Sequence, residues 1–224
     1  MRAISHCYRL GAVAEYRARS TWNRVMPLTI DNRGRNNIIA CLEADAPRLN
    51  GSIRIGGSRN SLTIGRRASS SNLSVSLGTG CKIQIGENCN LGSLLIHAAR
   101  DAQLSIGSNT VFNGFSRLLL HEKGRISIGA GCLFASEIDV TISDMHSIID
   151  ARSRRRLNPP RDVTIEDRVW VGQRAMILKG SHIEAGSIIG AAALVTGHVA
   201  GDSLAMGVPA KVIRSGVTWT HKLL

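Results

Sequence analysis

From residue 165 onward, aliphatic side chains return at every sixth position: Ile165, Val171, Ile177, Ile183, Ile189 and Val195. Four places after each stands a small or β-branched residue, in turn Val169, Ala175, Ser181, Ser187, Ala193 and Val199. An amphipathic helix repeats near ~3.6 residues and a half-buried strand at ~2, so neither produces this spacing. A chain that turns a corner every six residues does produce it, with one aliphatic side chain pointing inward on each face. The pattern predicts an all-β solenoid, a parallel β-helix with three short faces to a coil.

The first half carries a longer version of the same rhythm. An aliphatic-x-Ile-Gly signature occurs at Ile53–Gly56, Leu62–Gly65, Ile83–Gly86, Leu104–Gly107 and Ile126–Gly129, the last three spaced by 21 and 22 residues. Three faces of six need only 18, so one corner of each coil takes the surplus (GTG, ARDA, EKG) while the prism continues beneath. With strands ~4.8 Å apart, seven or eight coils stand roughly 35 Å tall. Matching the coils sets Leu94–His97 over Leu118–His121, with Val140–Ser143 next, which stacks His97 and His121 at one corner.

The chain then leaves the prism and returns at Val163. Pro159 and Pro160 cannot donate to a strand ladder, so this stretch is a loop. A long loop on a rigid scaffold is a usual home for chemistry, and His146 lies near its root. The predicted organisation is an N-terminal segment 1–50, partly flexible, a β-helix 51–216 carrying loop 143–164, and a tail 217–224 that caps the prism or wanders. Up to Met26 the sequence reads as a basic arm or as an extension ahead of a natural start at MPLTIDNRGRNNIIA.

Composition sharpens this picture. Only 4% of the 224 residues are aromatic and 23 are Gly, as suits a narrow prism with tight corners. No apolar run reaches the ~18 residues of a membrane span, and Arg9, Glu15 and Arg17 interrupt any signal-peptide core. The five cysteines lack CxxC spacing; Cys89 and Cys132 fall at small buried positions and read as inert thiols of a reducing, cytoplasmic compartment. A net charge of +12 calls for an anionic partner. Nucleic acid is disfavoured because recognition surfaces interleave basic with aromatic residues. Cofactor phosphates or an acidic glycan account for the charge equally well, and part of it is solvated surface.

The coil pattern together with SDMHSI, DRVWVG and the closing GVPAKVIR resembles the hexapeptide acyltransferases, and among them the O-acetyltransferases of bacterial capsule, lipopolysaccharide and related surface glycans. The likeness spans roughly residues 50–216. It implies a left-handed prism, a homotrimer, and acetyl-CoA as co-substrate in the groove between neighbouring prisms. It also implies that His146 is the general base, a role that an imidazole of ordinary pKa near ~6.5 suits at neutral pH. Asp144, Ser143 or a backbone carbonyl could orient the ring.

By position, Trp170 matches the aromatic near the pantetheine arm. Gln173, Ala191 and Thr196 match turn positions lining the CoA groove, and Lys211 and Arg214 the cations that meet CoA phosphates. Where family members often have Gly-Ser and then a cation, this chain has Ala192-Ala193 and Gly197, with Lys179 or Arg174 as substitutes for the lost charge. The loop arginines 152, 154, 155, 156 and 161 are a solvated face or a holder for an acidic acceptor or the CoA 3′-phosphate. His97 and His121 without a third ligand make no zinc site, so no metal is expected. The implied activity is O-acetylation of a surface glycan or its sugar precursor. The alternatives are acetylation of a nucleotide-sugar amine or of serine, and a basic β-helix that only binds.

Overall fold

A computed structural model describes residues 28–41 and 48–224, in which every regular element is a strand. Three sheets of eight, eight and six strands, parallel but for one terminal pair, run side by side, and the chain visits them in rotation. In the 165–195 region the rotation takes 18 residues: Thr164 pairs with His182, Trp170 with Ile188 and Met176 with Leu194. All six aliphatic repeat positions point inward and are essentially inaccessible. The strands there are two residues long, since each face holds one inward side chain before the next corner.

The last coil departs from the pattern. Val199 pairs with Ile183 and Ala205 with Ile189, each 16 residues on, so the corner at Gly197 is two residues short. Val199 is therefore an inward face residue, not the small corner residue its spacing predicts. Strand Ser203–Gly207 then pairs with Ala210–Ser215, the one antiparallel pair of strands among the described residues.

In the first half one face is built from longer strands, including Asn72–Thr79, Ser93–Arg100 and Phe115–Leu120. The surplus residues all fall between this face and the next. Leu118 and Ile128 are ten residues apart, whereas their counterparts Ile177 and Ile183 are six apart. Loop 143–162 issues from the same corner, because Ile142 ends the long-strand face and Val163–Ile165 resumes on the next one. The predicted coil alignment is off by two at one place: Ile96 pairs with Leu118 and His97 with Leu119. A slip of two keeps every side chain on its own side of the sheet, so hydrophobic alternation cannot detect it. The His97 and His121 rings nevertheless lie 4.6 Å apart.

The prism also starts earlier than residue 51. Thr29–Asn32 and Ile38–Cys41 pair in parallel with Gly51–Ile55 and Ser61–Ile64, though they lack the Ile-Gly marker that flags later coils. The basic arm proposed for residues 1–26 lies outside the described residues. Inside the prism, Phe112 and Phe134 stack with centroids 4.4 Å apart and no exposure. Gly78 is required by coil spacing, since a Cβ there would sit 1.6 Å from the Ala99 carbonyl oxygen. Cys81, Cys89 and Cys132 are buried in the core, and burial pushes the Cys132 thiol up to about 11. No helix of the described residues is long and apolar enough to cross a membrane.

Candidate active site

The long loop is a built structure. Its base closes where the Arg161 N–H donates to the Ile142 carbonyl at 3.0 Å. Farther out, Ile149 and Arg156 form an antiparallel bridge, and Asp150 caps the tip by accepting the Ser153 N–H at 2.6 Å. Side chains then lock the loop to the prism. Arg156 grips Glu122 with two hydrogen bonds of 2.6 Å, and the Ser143 hydroxyl donates to the same carboxylate. The Arg156 guanidinium, and after it the Ser143 hydroxyl, hold the Glu122 carboxyl down at about 2. A depressed carboxylate adds stability above its unfolded pKa and loses it as pH falls toward the folded one. This clamp is therefore closed at neutral pH and opens only as pH falls from the ordinary carboxylate range through about 2. Lys179, from the corner of the next coil, pairs with Asp144, which lies below its usual range chiefly because of that ammonium.

His146 sits at the root of this loop with its ring exposed. Its N–H donates to the Asp144 carbonyl at 2.7 Å, and its own carbonyl accepts from Asn158 at 2.8 Å. Met145 just before it has φ of 62°, a left-handed conformation uncommon for a side-chain-bearing residue, and donates its N–H to the Ser143 hydroxyl at 2.9 Å. Of the predicted orienting groups, the two side chains are engaged elsewhere. The Asp144 carboxylate is taken by Lys179 and Asn158, and the Ser143 hydroxyl by Glu122. Nearby, burial and then the charge of His97 push the His121 imidazole below its usual value.

The other predicted residues are spread over the prism. Thr196 lies at the same edge as Lys179 and the loop, between the long-strand face and its successor. Trp170 points outward from the third face, 39% exposed. Gln173 and Ala191 share the corner between the third face and the long-strand face, where the Ala192 N–H donates to the Gln173 carbonyl at 2.8 Å. One chain thus divides these residues between two corners and the outside of the third face.

Lys211 and Arg214 pair with Met206 and Leu204 across a bulge in the antiparallel ribbon. In a regular strand residues three apart face opposite ways; the bulge returns both cations to one face. Both substitutes suggested for the missing charge at Gly197 already hold a carboxylate: Lys179 pairs with Asp144 of the loop, and Arg174 with Glu137 of the neighbouring coil. Of the loop arginines, Arg156 is an anchor. Arg152, Arg154 and Arg155 are exposed and pair with no carboxylate among the described residues.

Sequence reading passed over Trp219, Asn158 and Glu122. Trp219 folds back from the tail, donates its indole N–H to the Arg168 carbonyl at 2.6 Å, and lies 6.2 Å from the Trp170 ring. A lone Trp in a polar tail was the available signal. Asn158 and Glu122 gave none, since their partners are 12 and 34 residues away.

Comparison with known proteins agrees with this architecture. Residues 162–196 match the family described as the hexapeptide repeat of succinyl-transferase. The chain is 29% identical over 140 residues to a polysialic acid O-acetyltransferase of Escherichia coli O1:K1 / APEC, covering 62% of this chain and 45% of that one. It is 32% identical over 126 residues to the polysialic acid O-acetyltransferase of Neisseria meningitidis, covering 55% and 58%. The chain therefore spans about half the length of these curated relatives. Its fold superposes on the crystal structure of the polySia-specific acetyltransferase NeuO with a TM-score of 0.77 at 27% identity, over 88% of this chain and 90% of that one. With its repeats, its three-faced prism and this likeness along most of its described length, the chain has the architecture of the hexapeptide-repeat acyltransferases, and residues 162–196 carry their repeat.

Proposed function

We propose that this protein moves an acetyl group from acetyl-CoA to a hydroxyl of a surface glycan in the cytoplasm, with His146 as the general base. The observation that carries the reading is the likeness to a polySia-specific acetyltransferase over 88% of the chain. His146 takes the proton of the acceptor hydroxyl as that oxygen attacks the thioester carbon, and then returns it to the departing thiolate. The exposed cations Arg152, Arg154 and Arg155 at the loop tip suit an acidic acceptor.

On the co-substrate side, Trp170 offers an open aromatic face. Ala191 leaves room at the groove corner, and Lys211 with Arg214 supplies two cations on one ribbon face. His146 and this set leave one prism from different edges. Three prisms around an axis would bring the loop of one against the Trp170 edge of the next, which is the arrangement expected of a closed homotrimer. Strand edges and outward apolar side chains such as Met176 and Ile213 would be covered at the same time.

The reading is tested by thiol release from acetyl-CoA with a panel of acidic glycans, neutral glycans, a nucleotide-sugar amine and serine. Acetylation of the glycans is expected, with the acidic ones preferred. Transfer to the amine or serine alone, or no CoA binding at all, overturns it. In the same assay the double substitution Lys211→Ala and Arg214→Ala raises the KM for acetyl-CoA about tenfold or more with a smaller change in kcat, because remote phosphate contacts bind ground and transition states alike. A variant whose KM is unchanged removes these two residues from the co-substrate site.

A further inference from the structure

We infer that Asn158 is a positioning residue for His146: its side-chain amide fixes the loop backbone that carries the ring. The role rests on the reading of His146 as the base. Asn158 is 8% exposed, one of the few buried polar side chains of the chain. Its carboxamide oxygen accepts the Ile148 N–H at 2.6 Å, while its nitrogen donates to the Asp144 carboxylate at 2.7 Å and to the His146 carbonyl at 2.8 Å. Both amide hydrogens and the oxygen are thus used. Only one orientation of the amide satisfies the set, because a carboxylate and a carbonyl can only accept and a backbone N–H can only donate.

Three of its four partners are residues 144, 146 and 148, the fourth being the Arg156 Nε–H at 3.4 Å on the same oxygen, so a single side chain holds the segment on both sides of His146 as well as at His146 itself. That segment includes Met145 in its left-handed conformation, which persists only where the surroundings over-determine it. Asn158 is anchored in turn. Its main-chain carbonyl accepts from Lys179 at 3.3 Å, and the same ammonium pairs with Asp144. Prism corner, Asn158 and the root of the loop therefore form one connected set around the candidate base. No other side chain of similar size serves: aspartate has no hydrogen to donate and would face Asp144, and leucine makes none of the three bonds.

The test uses the full chain with Asn158→Leu and, separately, Asn158→Asp. The readouts are kcat, the KM for acetyl-CoA, the melting temperature and backbone hydrogen exchange of the 144–150 segment. In both variants kcat is expected to fall about 10²-fold, the loss that a displacement of about 1 Å produces in a catalytic group. The KM should stay within about twofold and the melting temperature near that of the parent, because the prism core is untouched. Exchange should rise in 144–150 and stay unchanged in the coils. Turnover within about threefold of the parent in both variants overturns the inference, as does a kcat loss matched by a falling melting temperature. If His146→Ala stays active, the base reading fails and this inference fails with it. If His146→Ala is inactive and both Asn158 variants are active, only this inference fails.

Discussion

Replacing His146 with alanine is expected to lower turnover by about 10²–10⁴-fold, the usual contribution of a general base, while CoA affinity stays close to that of the parent. The expectation follows from where the ring stands. Four separate attachments fix the loop around it: Arg156 to Glu122, Ser143 to Glu122, Lys179 to Asp144, and Asn158 to the backbone. None of these uses the imidazole, so its removal should leave the loop in place and take away only the proton acceptor. Calorimetric titration with CoA, alongside thiol-release kinetics, separates the two effects. Activity within about threefold of the parent would sink the assignment. The shared-edge arrangement adds a second reading of the same variant. Mixing His146→Ala chains with chains crippled at Trp170 and Ala191 should restore part of the activity, since some interfaces then pair two intact halves. Full activity from a particle with the mass of one 24.0 kDa chain would refute both the trimer and the shared site.

Phe134→Ala should destabilise the prism by about 3–5 kcal/mol, the range for truncating a fully buried Phe. Phe134 has no exposure, stacks on Phe112 with an interplanar angle of 15°, and is in register with Val171. Its removal opens a hole between three successive coils that short, corner-bounded strands cannot close by shifting. Because coils of a solenoid touch only their neighbours, the loss also weakens the coupling between the prism above and below. Denaturant unfolding monitored at several probes measures it. A loss below about 1 kcal/mol would mean that the site collapses and that the stack is not a keystone of the core.

The repeat at 165–195 was fully legible, because each inward position is set by the chain's own turning and no distant partner is needed. The coil lengths of the first half were legible for the same reason. What escaped was governed by things with no local signature. The two-residue slip between Ser93–Arg100 and Phe115–Leu120 preserves alternation. The short corner at Gly197 is hidden because Val199 fits both the corner rule and the face rule. Asn158 and Glu122 acquire their meaning only once the loop has folded back. His146 was legible as a residue in a long loop, but what holds it was not.

Among the described residues, the surplus length of the coils enters at a single corner, from the extended strands of the first coils to the excursion that bears His146. Sequence added there lengthens no other side of the prism and leaves the pairing of both remaining faces as it was. The scaffold and the candidate site are therefore separable in descent. A lineage can exchange corner inserts, and with them the groups proposed above to meet the acceptor, while the stack of aliphatic rungs beneath is inherited unchanged.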